Sequence, residues 1–272
     1  MQHSTRNGLF SLLVVGVAAG VAGGFVYDLM AGNPATTTAI EQAAEPDDVG
    51  EERIGALVRD YILANPEVLE EAQQVLQARR AQESRQQAMA SIETNRDAIF
   101  HAPEDMVIGN PEGDITLVEF FDYNCGYCKR AMDDVVEIIK TDPNVRVVLK
   151  EFPILGPDSV AAHQVSMAFR KLAPDQYGEF HMALLGADVR ASEAVAIELA
   201  KQYGVEEDAL REAMNDPAIE ESIRRSYQLA DTLGISGTPS FVLGDETVFG
   251  AVGSETLLAK IENVRQCEST VC

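Results

Sequence analysis

Hydrophobic and polar positions follow a helical period in the first part of the chain. From Glu51 to about Ile99, apolar residues recur at the i, i+3, i+4, i+7 and i+8 spacing that gives a helix one apolar face. The first such set comprises Ile54, Leu57, Val58, Tyr61 and Ile62. Asn65-Pro66 interrupts the pattern, because proline fits only the first turn of a helix. A second stripe then fades into a polar run at 77–87, which predicts two helices, the second ending as a polar stalk.

This helical region, residues 49–98, has too few apolar residues to form a core of its own. Its apolar stripe is therefore predicted to pack either on the main domain of the same chain or on copies of itself. In the second case, residues 49–98 are an oligomerisation region.

The pattern changes after residues 101–114, a segment with proline and glycine that predicts a loop. The runs at 115–123 and 145–152 are apolar on both faces, as central strands are, and a helical pattern separates them. A strand, helix, strand order implies a parallel pair with a right-handed crossover.

Helical patterns fill about 157–233, and a hairpin at 238–250 and a last helix at 254–264 follow. The predicted fold class is α/β, with one domain over 99–265 that carries a helical insertion. An N-terminal helical stalk precedes this domain, and a short tail, residues 266–272, follows it.

The N-terminal segment has the pattern of a targeting sequence. Arg6 precedes an uncharged run from Asn7 to Tyr27, which as a helix of about 30 Å would be long enough to cross a bilayer. Alanines and glycines in the run also suit signal cleavage, so residues 1–30 are either a signal peptide or an uncleaved anchor. Residues 31–48 predict a linker. In both cases, the rest of the chain is expected to be exported across the membrane. The expected location is the bacterial periplasm, soluble or anchored to the inner membrane by this segment alone.

Composition narrows the function by exclusion. The 272 residues include 44 acidic and 21 basic side chains, for a formal charge of -23, which argues against nucleic acid as a partner. Hydrophobic residues at 46% and charged residues at 24% are ordinary for a globular protein.

The candidate chemistry lies in Cys125-Gly126-Tyr127-Cys128, directly after a predicted strand and at the start of a predicted helix. Unpaired N–H groups and the helix dipole at that position favour a thiolate over a thiol. Cys125 is then the nucleophile and Cys128, one turn further, the resolving thiol of a redox-active disulfide.

Other uses of the two cysteines are less well supported. A permanent disulfide across two residues would restrain little of the chain. A metal site would need further ligands nearby, but His101, His163 and His181 are scattered along the sequence. We therefore expect no metal and no cofactor, with copper binding by the same thiols, or an adaptor with an inactive redox site, as alternatives.

Glu119 is the candidate acid. It lies on the same strand face as Ile115, Leu117 and Phe121, which predicts a buried carboxyl six residues before Cys125. Such a carboxyl has a raised pKa and could exchange protons with the resolving thiol. The alternative is a glutamate that reaches solvent at the strand end.

Gly237-Thr238-Pro239 precedes the later strand. A proline there cannot donate to the sheet, and a cis bond would explain a tight entry into the strand. It would also leave the Thr238 backbone free to pair with an extended substrate chain beside the sulfurs.

These features together resemble the DsbA-like thiol:disulfide oxidoreductases of the thioredoxin superfamily. "VEFFDYNCGYC" at 118–128 resembles the family's active-site signature, and "GISGTPSFVLG" at 234–244 resembles its cis-proline segment. The resemblance covers about residues 101–265 and implies a thioredoxin-like fold with a helical insertion. It assigns the catalytic roles to Cys125, Cys128 and Glu119, and substrate binding to Gly126, Tyr127, Thr238 and Pro239.

The direction of the reaction follows from smaller differences. Gly126-Tyr127 departs from the Pro-His dipeptide of the strong oxidant DsbA and is similar to that of the disulfide isomerase DsbC, as is the threonine before the proline. "RIGALVRDYILANPEVLEEAQQVL" at 53–76 resembles the N-terminal domain of suppressor-of-copper-sensitivity C (ScsC) proteins, whose stalks join catalytic domains into trimers.

The resemblance therefore implies a homotrimer that isomerises or reduces disulfides in exported client proteins. A membrane redox partner would reset the pair, and a DsbA-type dithiol oxidase is the alternative. The remaining Cys267 and Cys272, in the tail "QCESTVC", are expected to form a small structural disulfide.

Overall fold

The computed structural model of the chain describes residues 48–272. The predicted targeting segment, residues 1–30, lies outside the described residues, as does the predicted linker apart from its last residue. Within the described range, no helix is both long and apolar enough to cross a membrane. The chain divides into two compact units between Ala64 and Asn65.

The described part of the first unit is a single helix, α1 (Asp48–Ala64). Leu57 on its predicted apolar face is 63% exposed, and Leu63 on the opposite face is 65% exposed. The second unit begins with α2 (Glu67–Thr94), which starts after the predicted break at Asn65-Pro66. Glu67 and Glu70 in the first turn of α2 interact favourably with the helix dipole.

A five-stranded sheet forms the centre of the second unit, in the order β1-β3-β2-β4-β5. The strands are β1 (Met106–Gly109), β2 (Ile115–Phe121), β3 (Val145–Glu151), β4 (Ser240–Leu243) and β5 (Glu246–Phe249). The central strand β2 pairs in parallel with β3, as the βαβ order predicted, and β4 pairs antiparallel with β5 in the predicted hairpin. Strand β2 also pairs antiparallel with β4.

Edge strand β1 corrects the sequence analysis, which assigned its residues to a loop. It pairs antiparallel with β3, from Met106 opposite Leu149 to Gly109 opposite Arg146. Its four residues are too few to show an alternating pattern, and the contacts that stabilise it come from a distant part of the chain.

Helices surround the sheet. The remaining ones are α3 (Arg96–Phe100), α4 (Gly126–Thr141), α5 (Pro157–Leu172), α6 (Tyr177–Leu185), α7 (Glu193–Gln202), α8 (Glu207–Met214), α9 (Pro217–Thr232) and α10 (Ser254–Cys267), with a short 3-10 helix at Pro174–Gln176. Helices α5 to α9 are the predicted insertion between β3 and β4.

Two apolar cores lie on the two faces of β2. Leu117 and Phe121 belong to the core shared with α4, α10 and most of the insertion, whereas Val118 and Phe120 belong to a smaller core with α3 and α9. The alternation along β2 places Glu119 on the face of Leu117 and Phe121. The strand therefore delivers an acid to the same core in which Cys125 and Cys128 lie.

Candidate active site

Cys125 is the N-cap residue of α4 and Cys128 lies in the first turn of that helix. Both are free thiols, and they are 6% and 0% exposed, respectively. The N–H of Cys128 donates to Sγ of Cys125 over 3.4 Å, as a side-chain cap does at a helix start. The Cys125 thiol donates to the carbonyl oxygen of Thr238 over 3.1 Å. The structure thus brings both cysteines together with the segment before the proline.

The two thiols differ in acidity. A hydrogen bond from the Cys128 side chain, helped by the Thr238 side chain and the N–H groups of Cys128 and Tyr127, lowers the pKa of Cys125 to about 5 despite partial burial. Burial, the hydrogen bond to Cys125 and the charge of Glu119 raise the pKa of Cys128 far above its usual value. At neutral pH this arrangement favours a thiolate at Cys125 and a thiol at Cys128.

Glu119 is buried, and its Oε1 atom has no hydrogen-bond partner in the described part of the chain. Burial, with smaller contributions from the charges of Cys125 and Asp134, raises the pKa of its carboxyl to about 8. A carboxyl with this pKa can both hold and release a proton near neutral pH. The pKa of Glu119 also depends on whether Cys125 is charged.

The Thr238-Pro239 peptide bond is cis. The carbonyl of Pro239 accepts a hydrogen bond from the N–H of Gly250 over 2.9 Å, which fastens this segment to the end of the hairpin. The N–H of Thr238 has no hydrogen-bond partner within residues 48–272, and Thr238 is partly exposed. An extended chain could therefore pair with this backbone beside Cys125.

Gly126 and Tyr127, the residues between the cysteines, both face solvent, and Tyr127 is 60% exposed. The guanidinium of Arg130 lies 4.2 Å from the centre of the Tyr127 ring, in cation–π geometry. The Tyr127 ring is therefore held at the surface by a residue one turn further along α4.

Sequence reasoning missed a second group of buried polar residues, which lies against Tyr123, two residues before Cys125. His163 and His181, which are far apart in sequence, both lie against Tyr123, whereas His101 is exposed. Glu151 at the end of β3 is also buried and contacts His163. The one available signal was Glu151, the only carboxyl in the predicted strand at 145–152. The histidine pair depends on how α5 and α6 pack.

Within residues 48–272, no group of three or more histidine, cysteine, aspartate or glutamate side chains is arranged to hold a metal ion. Cys267 and Cys272 form a disulfide in the tail. Thr270 between them donates its N–H to Asp245 in the hairpin turn over 2.9 Å, so the tail is fastened to that turn.

Residues 116–262 match the family described as the DSBA-like thioredoxin domain. This chain belongs to the DsbA-like thioredoxin family. Residues 51–83 also match the family described as the copper resistance protein ScsC N-terminal domain, and this match covers most of α1 and more than half of α2. The resemblance of the two regions to different families is thereby confirmed.

Two solved structures illustrate the relationship of the DsbA-like chain. A thioredoxin-like oxidoreductase from Silicibacter pomeroyi DSS-3 is 42% identical, with a TM-score of 0.61, over 64% of this chain and 99% of that one. Proteus mirabilis ScsC in a transitional conformation is 31% identical, with a TM-score of 0.59, over 80% of this chain and 95% of that one. The similarity to Proteus mirabilis ScsC therefore extends beyond the catalytic domain of this chain.

Among curated proteins, the thiol:disulfide interchange protein DsbA of Bordetella parapertussis is 29% identical over 48% of this chain and 64% of its own length. The chain spans only 24% of the length of two Salinispora proteins named Na(+)/H(+) antiporter NhaA that it also matches. The antiporter activity is therefore not transferred to this chain.

Proposed function

We propose that this protein is a periplasmic thiol:disulfide interchange enzyme that isomerises or reduces disulfides in exported proteins. The observation that carries the proposal is the difference between the two thiols at the start of α4: Cys125 has a lowered pKa, and the buried Cys128 has a raised pKa. The targeting pattern of residues 1–30 supports the compartment.

In the first step, the Cys125 thiolate attacks one sulfur of a client disulfide. A mixed disulfide forms, and the other client sulfur leaves as a thiolate. A second client thiolate can then displace Cys125, which leaves the client with a rearranged disulfide and the enzyme unchanged. Alternatively, Cys128 displaces the client sulfur, so that the client is reduced and Cys125 and Cys128 are oxidised to a disulfide.

Glu119 is suited to the second route, because Cys128 must lose its proton to attack. The negative charge of Cys125 raises the pKa of Glu119, and that charge disappears when Cys125 enters the mixed disulfide. The pKa of Glu119 then falls, so the carboxyl becomes a proton acceptor at the moment when Cys128 has to react. In the reverse direction, Glu119 returns the proton to the leaving Cys128 sulfur.

The surface around Cys125 suits an unfolded client. The free N–H of Thr238 offers a backbone contact, and exposed apolar side chains come from the first turn of α4 and from the loops that follow β3, α6 and β5. These side chains are Tyr127, Leu155, Val189 and Val252. Apolar segments that a folded protein buries would bind there, and a misfolded client exposes such segments.

Oligomerisation through α1 would place several redox pairs around one client. The exposed apolar stripe of α1 supports this proposal, as does the match of residues 51–83 to the ScsC N-terminal domain. We propose a homotrimer, in which the high local concentration of active sites favours repeated attack on one client. A membrane redox partner would return the pairs to the dithiol form.

The reactivation of scrambled ribonuclease by the reduced protein tests this function. The wild type should restore ribonuclease activity and Cys125→Ser should not, since the nucleophile is lost. A wild type that fails to reactivate scrambled ribonuclease would contradict isomerisation.

The role of α1 can be tested with a matched pair of substitutions. Leu57→Glu places a charge on the apolar stripe, whereas Leu63→Glu places it on the opposite face of the same helix at almost equal exposure. Only Leu57→Glu should lower the molecular mass in sedimentation and reduce the reactivation rate. Equal behaviour of the two variants would exclude the stripe as the interface.

Dithiol oxidation is the second candidate function. The low pKa of Cys125 favours it, because a stabilised thiolate stabilises the reduced enzyme and makes the disulfide more oxidising. The oxidised protein would then oxidise a reduced dithiol peptide rapidly, and the reduced protein would not reactivate scrambled ribonuclease.

A further inference from the structure

The loop between β2 and α4 carries Cys125, and the N–H groups of its last three residues each have a hydrogen-bond acceptor. The N–H of Tyr123 donates to Nε2 of His163 on α5 over 3.3 Å. The N–H of Asn124 donates to the carboxylate of Asp122 over 2.8 Å, and the N–H of Cys125 donates to the Asp122 carbonyl over 3.0 Å. The first of these contacts comes from the helical insertion rather than from the loop itself.

Hydrogen-bond chemistry fixes the state of the His163 ring. A backbone N–H can only donate, so Nε2 of His163 accepts and carries no proton in this contact. Nδ1 then carries the proton and donates to Oε2 of Glu151, which it contacts directly. The other carboxylate oxygen of Glu151, Oε1, accepts hydrogen bonds from the hydroxyls of Ser166 and Tyr177, each over 2.9 Å. Three donors thus hold a buried carboxylate, which in turn orients the ring.

The side chain of Tyr123 returns to the same group of residues. Its hydroxyl lies 2.7 Å from Oγ of Ser166 and 3.1 Å from Nδ1 of His181. Its ring centre lies 4.6 Å from that of His163. Tyr123 is therefore held both at its backbone and at the far end of its side chain, two residues before the nucleophile.

We propose that Glu151 and His163 are positioning residues that fix the backbone of Tyr123 and, through it, the start of α4 against Cys125. The inference rests on the proposed function, in which Cys125 is the attacking thiolate. The N–H groups of Tyr127 and Cys128 stabilise that thiolate, and their direction depends on how the chain enters the helix. Without the His163 contact, the loop would direct the N–H groups of Tyr127 and Cys128 less accurately toward the sulfur of Cys125.

Two substitutions test the proposal through the pKa of Cys125, read from the ultraviolet absorbance of its thiolate. His163→Phe keeps a ring against Phe121 but removes the acceptor for the N–H of Tyr123. Glu151→Gln keeps the size of the side chain and removes a negative charge. By Coulomb's law alone, that loss would lower the pKa of Cys125. The positioning role predicts the opposite sign, a rise of about one unit in both variants.

Leu210→Ala is the matched control. Leu210 is fully buried in α8 of the same insertion, so its truncation should lower the stability without moving the pKa of Cys125. Amide hydrogen exchange at Tyr123 should be faster in His163→Phe than in the control. This comparison separates positioning from a general loss of stability.

Circular dichroism shows whether each variant is folded. If the folded variants keep the wild-type pKa of Cys125, the inference is wrong. If His163→Phe does not fold, Glu151→Gln decides by the sign of its shift. Failure of this inference and failure of the proposed function are distinguishable: a wild type without ribonuclease reactivation would reject isomerisation, while the shift in the pKa of Cys125 would still support the positioning role.

Discussion

The thiol of Cys125 lies 3.1 Å from the carbonyl oxygen of Thr238, a residue 113 positions further along the chain. The Thr238 side chain also helps to lower the pKa of Cys125. Thr238→Val keeps the shape of the side chain and removes its hydroxyl. We therefore expect the pKa of Cys125 to rise from about 5, which a titration of thiolate absorbance will show.

Thr247→Val is a control for this substitution and a prediction in its own right. The Thr247 hydroxyl is buried without a hydrogen-bond partner in the described part of the chain. Its removal should leave the pKa of Cys125 unchanged and increase the free energy of unfolding by about 1 kcal/mol. If urea denaturation instead gives a lower free energy of unfolding for the variant, the hydroxyl has a stabilising contact.

The order of the helices and strands was largely predictable from the sequence, because each long element has its own periodicity. The position of Glu119 was predictable for the same reason: alternation along β2 places it with Leu117 and Phe121. The start of α4 at the cysteines followed from the change of pattern after that strand.

The contacts between distant segments were not predictable in this way. Strand β1 is stabilised by pairing with β3, and the meeting of His163 and His181 at Tyr123 depends on how α5 and α6 pack. Periodicity shows which face of an element is buried but not which neighbour covers it.

Glu119→Gln should change how stability depends on pH. The pKa of Glu119 is about 8 in the folded reduced protein and close to 4.5 when unfolded. Between these values only the unfolded chain releases the proton, so the free energy of unfolding of the wild type falls as pH rises. Glutamine does not titrate, so the free energy of unfolding of the variant does not show this decrease. In urea denaturation, the free energy of unfolding of the variant relative to that of the wild type should increase from about pH 4.5 to 8, by on the order of 5 kcal/mol.

A constant difference between variant and wild type across that range would show that Glu119 titrates normally. Asp134→Asn is the companion variant, since Asp134 contributes least to the shift. It should lower the pKa of Glu119 only slightly and leave the pH trend of the wild type in place.

The same Glu119→Gln variant should slow the resolving step. Without the carboxylate, Cys128 lacks a nearby proton acceptor, so the mixed disulfide with a client peptide should persist longer, with about a 10- to 100-fold slower release. Rapid acid quenching followed by mass spectrometry measures this intermediate. Cys128→Ser gives the upper limit, because that variant cannot release the client by the intramolecular route.

The tail disulfide should affect stability but not activity. Replacing Cys267 and Cys272 by serine opens a loop with a separation of five residues, which should lower the free energy of unfolding by about 2 kcal/mol at most. The hydrogen bonds of Thr270 to Asp245 still fasten the tail. A loss of ribonuclease reactivation in the double variant would instead indicate that this disulfide takes part in electron transfer.

The central claim is that Cys125 and Cys128 form a reversible redox pair suited to rearranging or reducing disulfides. Equilibration with glutathione buffers gives the reduction potential of this pair directly. We predict a reversible two-electron couple near that of protein disulfide isomerase, about −180 mV, which is lost in Cys125→Ser. A potential near the roughly −120 mV of DsbA would contradict the claim and identify an oxidase, and the absence of a reversible couple would exclude thiol:disulfide exchange at this site.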